Sequence, residues 1–80
     1  MELNVHGLEV AQAEMEVLHA VRQCKLDGEK RLTVIHGYHQ GNAIKDRIRS
    51  KKFIDWMAKN GHLIDKQRSE DKGKTVFLIT

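Results

Sequence analysis

Two apolar segments, each ending in His-Gly and thirty positions apart, constrain this chain more than any other feature. In the second, Leu32-Thr33-Val34-Ile35 leads into His36-Gly37-Tyr38-His39-Gln40-Gly41-Asn42 and then into a basic run. In the first, Leu3-Asn4-Val5 precedes His6-Gly7. Between them, over residues 9–25, Val10, Ala13, Val17, Ala20, Val21 and Cys24 recur at helical spacing, and Met15 and Leu18 widen the stripe. That spacing predicts one amphipathic helix. Asp27-Gly28 predicts its stop, with Gly28 as a left-handed cap. A strand, a helix of this length and a second strand make a right-handed βαβ unit with parallel strands. Parallel strands bring His6 and His36 to the same edge of the sheet, the carboxyl ends, where open α/β sheets bind ligands. His36 has the parity of the core pair Leu32 and Val34, whereas His6 has the parity opposite Leu3 and Val5. The two rings are therefore expected on different sides unless the loop has already turned.

Gly41 or Asn42 opens the next helical stretch. Ile44 and Ile48 face inward, and Lys45, Arg49 and Lys52 form an outward row at i, i+4 and i+7. Ser50-Lys51-Lys52 interrupts the apolar pattern before Phe53, Ile54, Trp56 and Met57 resume it. The result is one kinked helix or two helices, ending at Asn60-Gly61. Residues 62–68 and 75–79 read as strands joined by the charged turn 69–74, an antiparallel hairpin. The order is β-α-β-α-β-β. The expected fold is an α/β (α+β) two-layer sandwich, a four-stranded mixed sheet with helices on one face, forming one domain over residues 1–80.

Composition bounds what such a domain can do. Eighty residues, 40% hydrophobic and 31% charged, build one modest core and no deep enclosed site, so chemistry belongs in a surface groove. Cys24 is the single cysteine, which rules out an intramolecular disulfide and a cysteine-based zinc site. The start lacks a basic leader region, and the longest apolar run is Val76-Phe77-Leu78-Ile79. No signal peptide or membrane span is expected, and the expected location is cytoplasmic. The formal charge of +3 suits polyanions without requiring them. Its distribution says more, since Lys45, Arg47, Arg49, Lys51 and Lys52 crowd together, opposed by Asp46, directly after the glycine loop.

That loop, from His36 to Gly41 ahead of a helix, offers backbone N–H groups to phosphate oxygens. The same pattern also serves as a plain strand-to-helix turn. No Gly-Lys-Ser/Thr follows, which argues against a nucleotide-triphosphate loop. Tyr38 at the loop tip is either an incidental surface residue or a platform for an unpaired base. His36-x-x-His39 lacks a third ligand, so neither a metal site nor a cofactor is expected, and dependence on a divalent metal stays open. His19 and His62 read as structural or solvated side chains, Glu70 and Asp71 as solvated turn charges, and Trp56 as core.

On these residues the chain resembles the Smr (small MutS-related) domain family. That family carries L-D-L-H-G on its first strand and H-G-x-G-x-G after its second. The counterparts are Leu3-Asn4-Val5-His6-Gly7 and His36-Gly37-Tyr38-His39-Gln40-Gly41, and Leu8-x-Val10-x-x-Ala13 is similar to the family's start of the first helix. The likeness covers nearly the whole chain.

The resemblance implies a stand-alone domain that binds DNA or RNA and, in many members, cuts it. Family activity is associated with the Asp and His of the first motif; here His6 matches the His, and Asn4 stands in place of the Asp. The second motif is taken to hold the phosphodiester backbone; His36, Gly37 and Gly41 match it, while His39 replaces the middle glycine. A neutral amide cannot act as a carboxylate that orients an imidazole or raises its basicity. Read as a nuclease, the domain uses His6 as acid or base, His36 or His39 in the complementary role, and loop amides with Lys45 or Arg49 to stabilise developing charge. Gly37, Tyr38, His39, Gly41, Lys45, Arg49 and Lys52 are the expected phosphate-binding set. Two alternatives stand beside an endonuclease: a non-catalytic nucleic-acid-binding module, and a phosphometabolite or protein-interaction domain. The expected partner is DNA or RNA rather than a membrane, with a monomer as the starting expectation.

Overall fold

In a computed structural model describing residues 1–37, 42–68 and 70–80, the elements run β1 (Glu2–Asn4), α1 (Val10–Asp27), β2 (Arg31–Ile35), α2 (Ala43–Ile48), α3 (Lys51–Lys59), β3 (Ile64–Gln67) and β4 (Lys74–Ile79). They build the expected mixed sheet, with strand order β1-β2-β4-β3. β1 lies parallel to β2, with Leu3 opposite Val34. β4 is antiparallel to both β2 and β3, so the hairpin places its second strand inside the sheet and its first at the edge.

Alternation along the two central strands decides which face is covered. Leu32 and Val34 on β2 and Thr75, Phe77 and Ile79 on β4 are buried, and the residues between them are half-exposed or exposed. Onto that face α1 sets Ala13, Val17, Leu18, Ala20, Val21 and Cys24, and α3 sets Phe53 and Met57. Phe53 meets Phe77 with ring centroids 6.4 Å apart, a tilted aromatic pair near the middle of the core. Trp56 packs against the core's edge, partly buried.

α1 stops at Gly28, which takes the left-handed conformation (φ 73°) while Glu29 N–H donates to the Cys24 carbonyl at 2.8 Å. At its other end Glu9 serves as N-cap, and Gln12 Oε1 accepts from the Glu9 N–H at 3.3 Å. A long amide replaces the usual glutamate in this half of a capping box.

The basic helical stretch resolves into two helices because of Ser50. Its hydroxyl donates to the Arg47 carbonyl at 2.6 Å, and its oxygen accepts from Phe53 N–H at 3.1 Å, ending α2 and capping α3 with one side chain. The break corrects the expected i, i+4, i+7 row. Lys45 lies in α2, Arg49 is the residue that ends it, and Lys52 belongs to α3, so the three do not share one helix face. No helix among the described residues is long and apolar enough to cross a membrane.

Candidate nucleic-acid interface

The ladder between β1 and β2 continues one step past β1, with Val5 N–H donating to the Ile35 carbonyl at 2.9 Å. The chain then turns. Leu8 N–H returns to the Val5 carbonyl at 3.1 Å, with Gly7 at φ 84° in the third position, a conformation that favours glycine. His6 sits at the tip of this turn, exposed. Asn4 holds the tip from behind. Its Oδ1 accepts from the backbone N–H of His6 at 2.9 Å, so the amide fixes the turn's backbone.

The imidazole of His6 lies over Gly37. A Cβ at position 37 would stand 2.5 Å from His6 Cδ2 and 3.2 Å from Nε2, and Gly37 has φ 75°. Only glycine satisfies both the backbone angle and the ring above it. The two His-Gly pairs thus meet, the histidine of the first resting on the glycine of the second.

His36 goes the other way. It is 5% exposed and sits on the core face, as its parity with Leu32 and Val34 requires. Its Nδ1 is 2.8 Å from the Gly37 carbonyl, and its Nε2 is 2.8 Å from Thr75 Oγ1. A carbonyl only accepts, so Nδ1 carries the proton and Nε2 accepts from the Thr75 hydroxyl. Thr75 Oγ1 in turn accepts from Arg49 Nε at 2.7 Å, and Arg49 Nη2 donates to the Lys74 carbonyl at 2.7 Å. The chain from guanidinium to hydroxyl to imidazole to carbonyl runs in one direction with every group satisfied. Burial pushes the His36 pKa below its ordinary 6.5. Arg49 and Lys45 push it the same way, against the Gly37 carbonyl and Asp71. A neutral imidazole with both nitrogens engaged ties Gly37 to Thr75; it has no free nitrogen for a substrate proton.

Loop backbone is also committed. The N–H groups of His36 and Gly37 both donate to the Gly73 carbonyl, at 2.9 and 3.0 Å. Gly73 is fixed through its own N–H to Asp71 Oδ1 at 2.8 Å, so Asp71 is a turn former rather than a merely solvated charge. Tyr38, His39, Gln40 and Gly41 lie outside the described residues.

Among the basic side chains, Arg47 pairs with Glu14 at 3.2 Å and Lys51 approaches Asp55 at 4.0 Å. Arg49 is drawn into the Thr75 network. The ammonium groups of Lys45, half-buried, and Lys52, exposed, make no ion pair with the described residues. Among those residues, no group of three or more His, Cys, Asp or Glu is arranged to hold a metal ion.

Sequence reading missed Thr75, Gly73 and the inward role of Arg49. A signal for Thr75 was present: it is a polar residue with core parity, on the strand next to another polar residue with core parity, His36. Buried polar groups of that kind are hydrogen-bonded.

The model of the Smr domain family matches residues 3–79 of the chain. Among solved structures, the Smr domain of Thermus thermophilus MutS2 is similar, with a TM-score of 0.63 and 25% identity, covering 99% of this chain and 96% of that one. No curated protein is a significant sequence match.

Proposed function

The chain belongs to the Smr domain family, and we propose that it binds the phosphodiester backbone of RNA or DNA at the pole where His6 lies over Gly37, and that His6 serves cleavage there. The observation that carries this reading is the difference between the two histidines. His6 is exposed on a hydrogen-bonded turn with its ring edge against Gly37, whereas His36 is buried with both nitrogens bonded. On this reading the exposed imidazole of His6 exchanges a proton with a bound phosphodiester, and His36 ties Gly37 to Thr75. Lys45 and Lys52 supply the positive charge that a backbone contact needs, and the family resemblance supports the same assignment.

Asn4 favours a second reading, a module that binds without cutting. Its side chain engages the His6 backbone N–H, and as an amide it cannot supply a carboxylate's charge beside the ring. An aspartate there could accept the same hydrogen bond, so Asn4→Asp adds charge while keeping the turn.

The deciding assay compares wild type, Asn4→Asp and His6→Ala on labelled single-stranded RNA, stem-loop RNA and DNA, with and without EDTA. Cleavage by wild type, rising in Asn4→Asp and lost in His6→Ala, is the expected result. Cleavage undiminished in His6→Ala overturns the role of His6. Binding with no cleavage by wild type selects the second reading, and gain of cleavage in Asn4→Asp then identifies a lapsed site.

A further inference from the structure

At the opposite end of the sheet a second basic cluster has no part in the site above. Arg22 and Lys25 leave the last turns of α1 and converge on His62, which stands just ahead of β3. Lys25 Nζ is 2.8 Å from His62 Nδ1 and donates to the Gly61 carbonyl at 3.2 Å; Arg22 Nε is 3.4 Å from His62 Nε2. The register fixes the location. Ile64 pairs with Ile79, and Leu78 pairs with Arg31 at the start of β2, so the cluster and His6 lie at opposite ends of β2.

The cluster is chemically incomplete. A neutral imidazole has one acceptor nitrogen, yet both nitrogens of His62 face a cationic donor. With Arg22 donating to Nε2, the ring proton sits on Nδ1 and faces the Lys25 ammonium, donor against donor. No carboxylate resolves the conflict: among the described residues neither Arg22 nor Lys25 forms an ion pair, Asp27 accepts from Gln23, and Glu29 pairs with the Met1 amine. Desolvation lowers the His62 pKa, and the two neighbouring cations lower it further. The protein offers these exposed donors one acceptor too few, and an oxyanion seated beside Lys25 and the Nδ1–H of His62, with Arg22 adding charge from the other edge of the ring, supplies it.

We propose that Arg22, Lys25 and His62 form an oxyanion site for a phosphate group, giving the domain a second point of hold on a polynucleotide backbone. A phosphate suits the cluster better than a metal or a neutral ligand, because the three side chains present cationic or N–H donors and the nearby Gly61 carbonyl already accepts from Lys25. The polynucleotide part rests on the proposed function; the oxyanion site does not. A single backbone held at both ends of the sheet would be positioned along the domain as well as bound at His6.

The test begins with inorganic phosphate added to the wild-type domain in a low-salt, phosphate-free buffer, with the His62 ring followed by NMR. The ring should shift saturably and its pKa should rise, because an anion offsets the two cations. Arg22→Gln with Lys25→Gln should weaken the response by about tenfold or more, the loss expected when charge-assisted hydrogen bonds are removed. Both substitutions are on an exposed face, and circular dichroism checks that the fold persists. Single-stranded RNA is then titrated into both proteins. Weaker binding and a shallower salt dependence in the double variant support the second hold. No His62 response to phosphate overturns the oxyanion site, even if RNA binds. A phosphate response with no binding of RNA or DNA by wild type overturns the polynucleotide part and the proposed function together. RNA binding equal in both proteins overturns the second hold alone.

Discussion

His6 rests on Gly37, so close that a methyl group on the glycine would stand 2.5 Å from the ring. This contact joins the ends of two parallel strands into one surface, and it depends on the glycine's missing side chain as well as its left-handed φ.

Gly37→Ala therefore has two separable effects. The left-handed backbone should cost about 1–2 kcal/mol of stability, with or without His6, as urea denaturation in the wild-type and His6→Ala backgrounds would measure. The added methyl should also push the imidazole off its seat, visible as a large change in the His6 ring resonances. Unchanged ring resonances would mean the ring does not rest there.

Thr75→Val keeps the shape of the side chain but removes the hydroxyl between His36 and Arg49. It leaves His36 Nε2 without its donor and Arg49 Nε without its acceptor, which should destabilise the domain by about 1–3 kcal/mol in chemical denaturation. A neutral result would show that the network is replaced by water.

Stability should depend on pH through His36. Its folded pKa lies below the ordinary 6.5, so below that value the unfolded chain binds more protons than the folded one, and stability rises with pH. The contribution is complete above about pH 6.5 and is lost as pH falls toward the lowered folded value. His62 acts in the same direction, so the measurement is a difference. Between about pH 7 and pH 5, wild type should lose more stability than His36→Gln, and equal slopes would contradict a buried neutral His36.

Ser50→Ala should reduce stability by about 0.5–2 kcal/mol through loss of the α3 cap. Thermal melting checks the size, and the helical signal should fall with it, since Ser50 also terminates α2.

Much of this architecture is written locally. The period of Val10 to Cys24, the stop at Gly28 and the apolar run of β2 each depend on neighbours in sequence. Core parity with Leu32 and Val34 matches the burial of His36, whereas His6 lies past the end of β1 on a turn where strand parity no longer applies. Three features depend on contacts distant in sequence. Arg49 matches the outward row by spacing alone, yet β4 offers it the Thr75 hydroxyl and the Lys74 carbonyl, and those bonds turn it inward. His36 looked like a partner for His6 because both close a His-Gly pair; only Thr75, thirty-nine positions away, engages its second nitrogen. Ser50 signalled an interruption, but choosing a break over a kink required its two hydrogen bonds. The conformation around Tyr38, His39 and Gly41 lies outside the described residues.

The central claim is that this domain grips a phosphodiester backbone, and the salt dependence of binding tests it most directly. For single-stranded RNA, log Kobs plotted against log salt should fall with a slope of about −0.7 per phosphate contact between roughly 50 and 200 mM. Lys45→Gln with Lys52→Gln should make that slope shallower. A flat response, or no binding to RNA or DNA at low salt, would contradict the account.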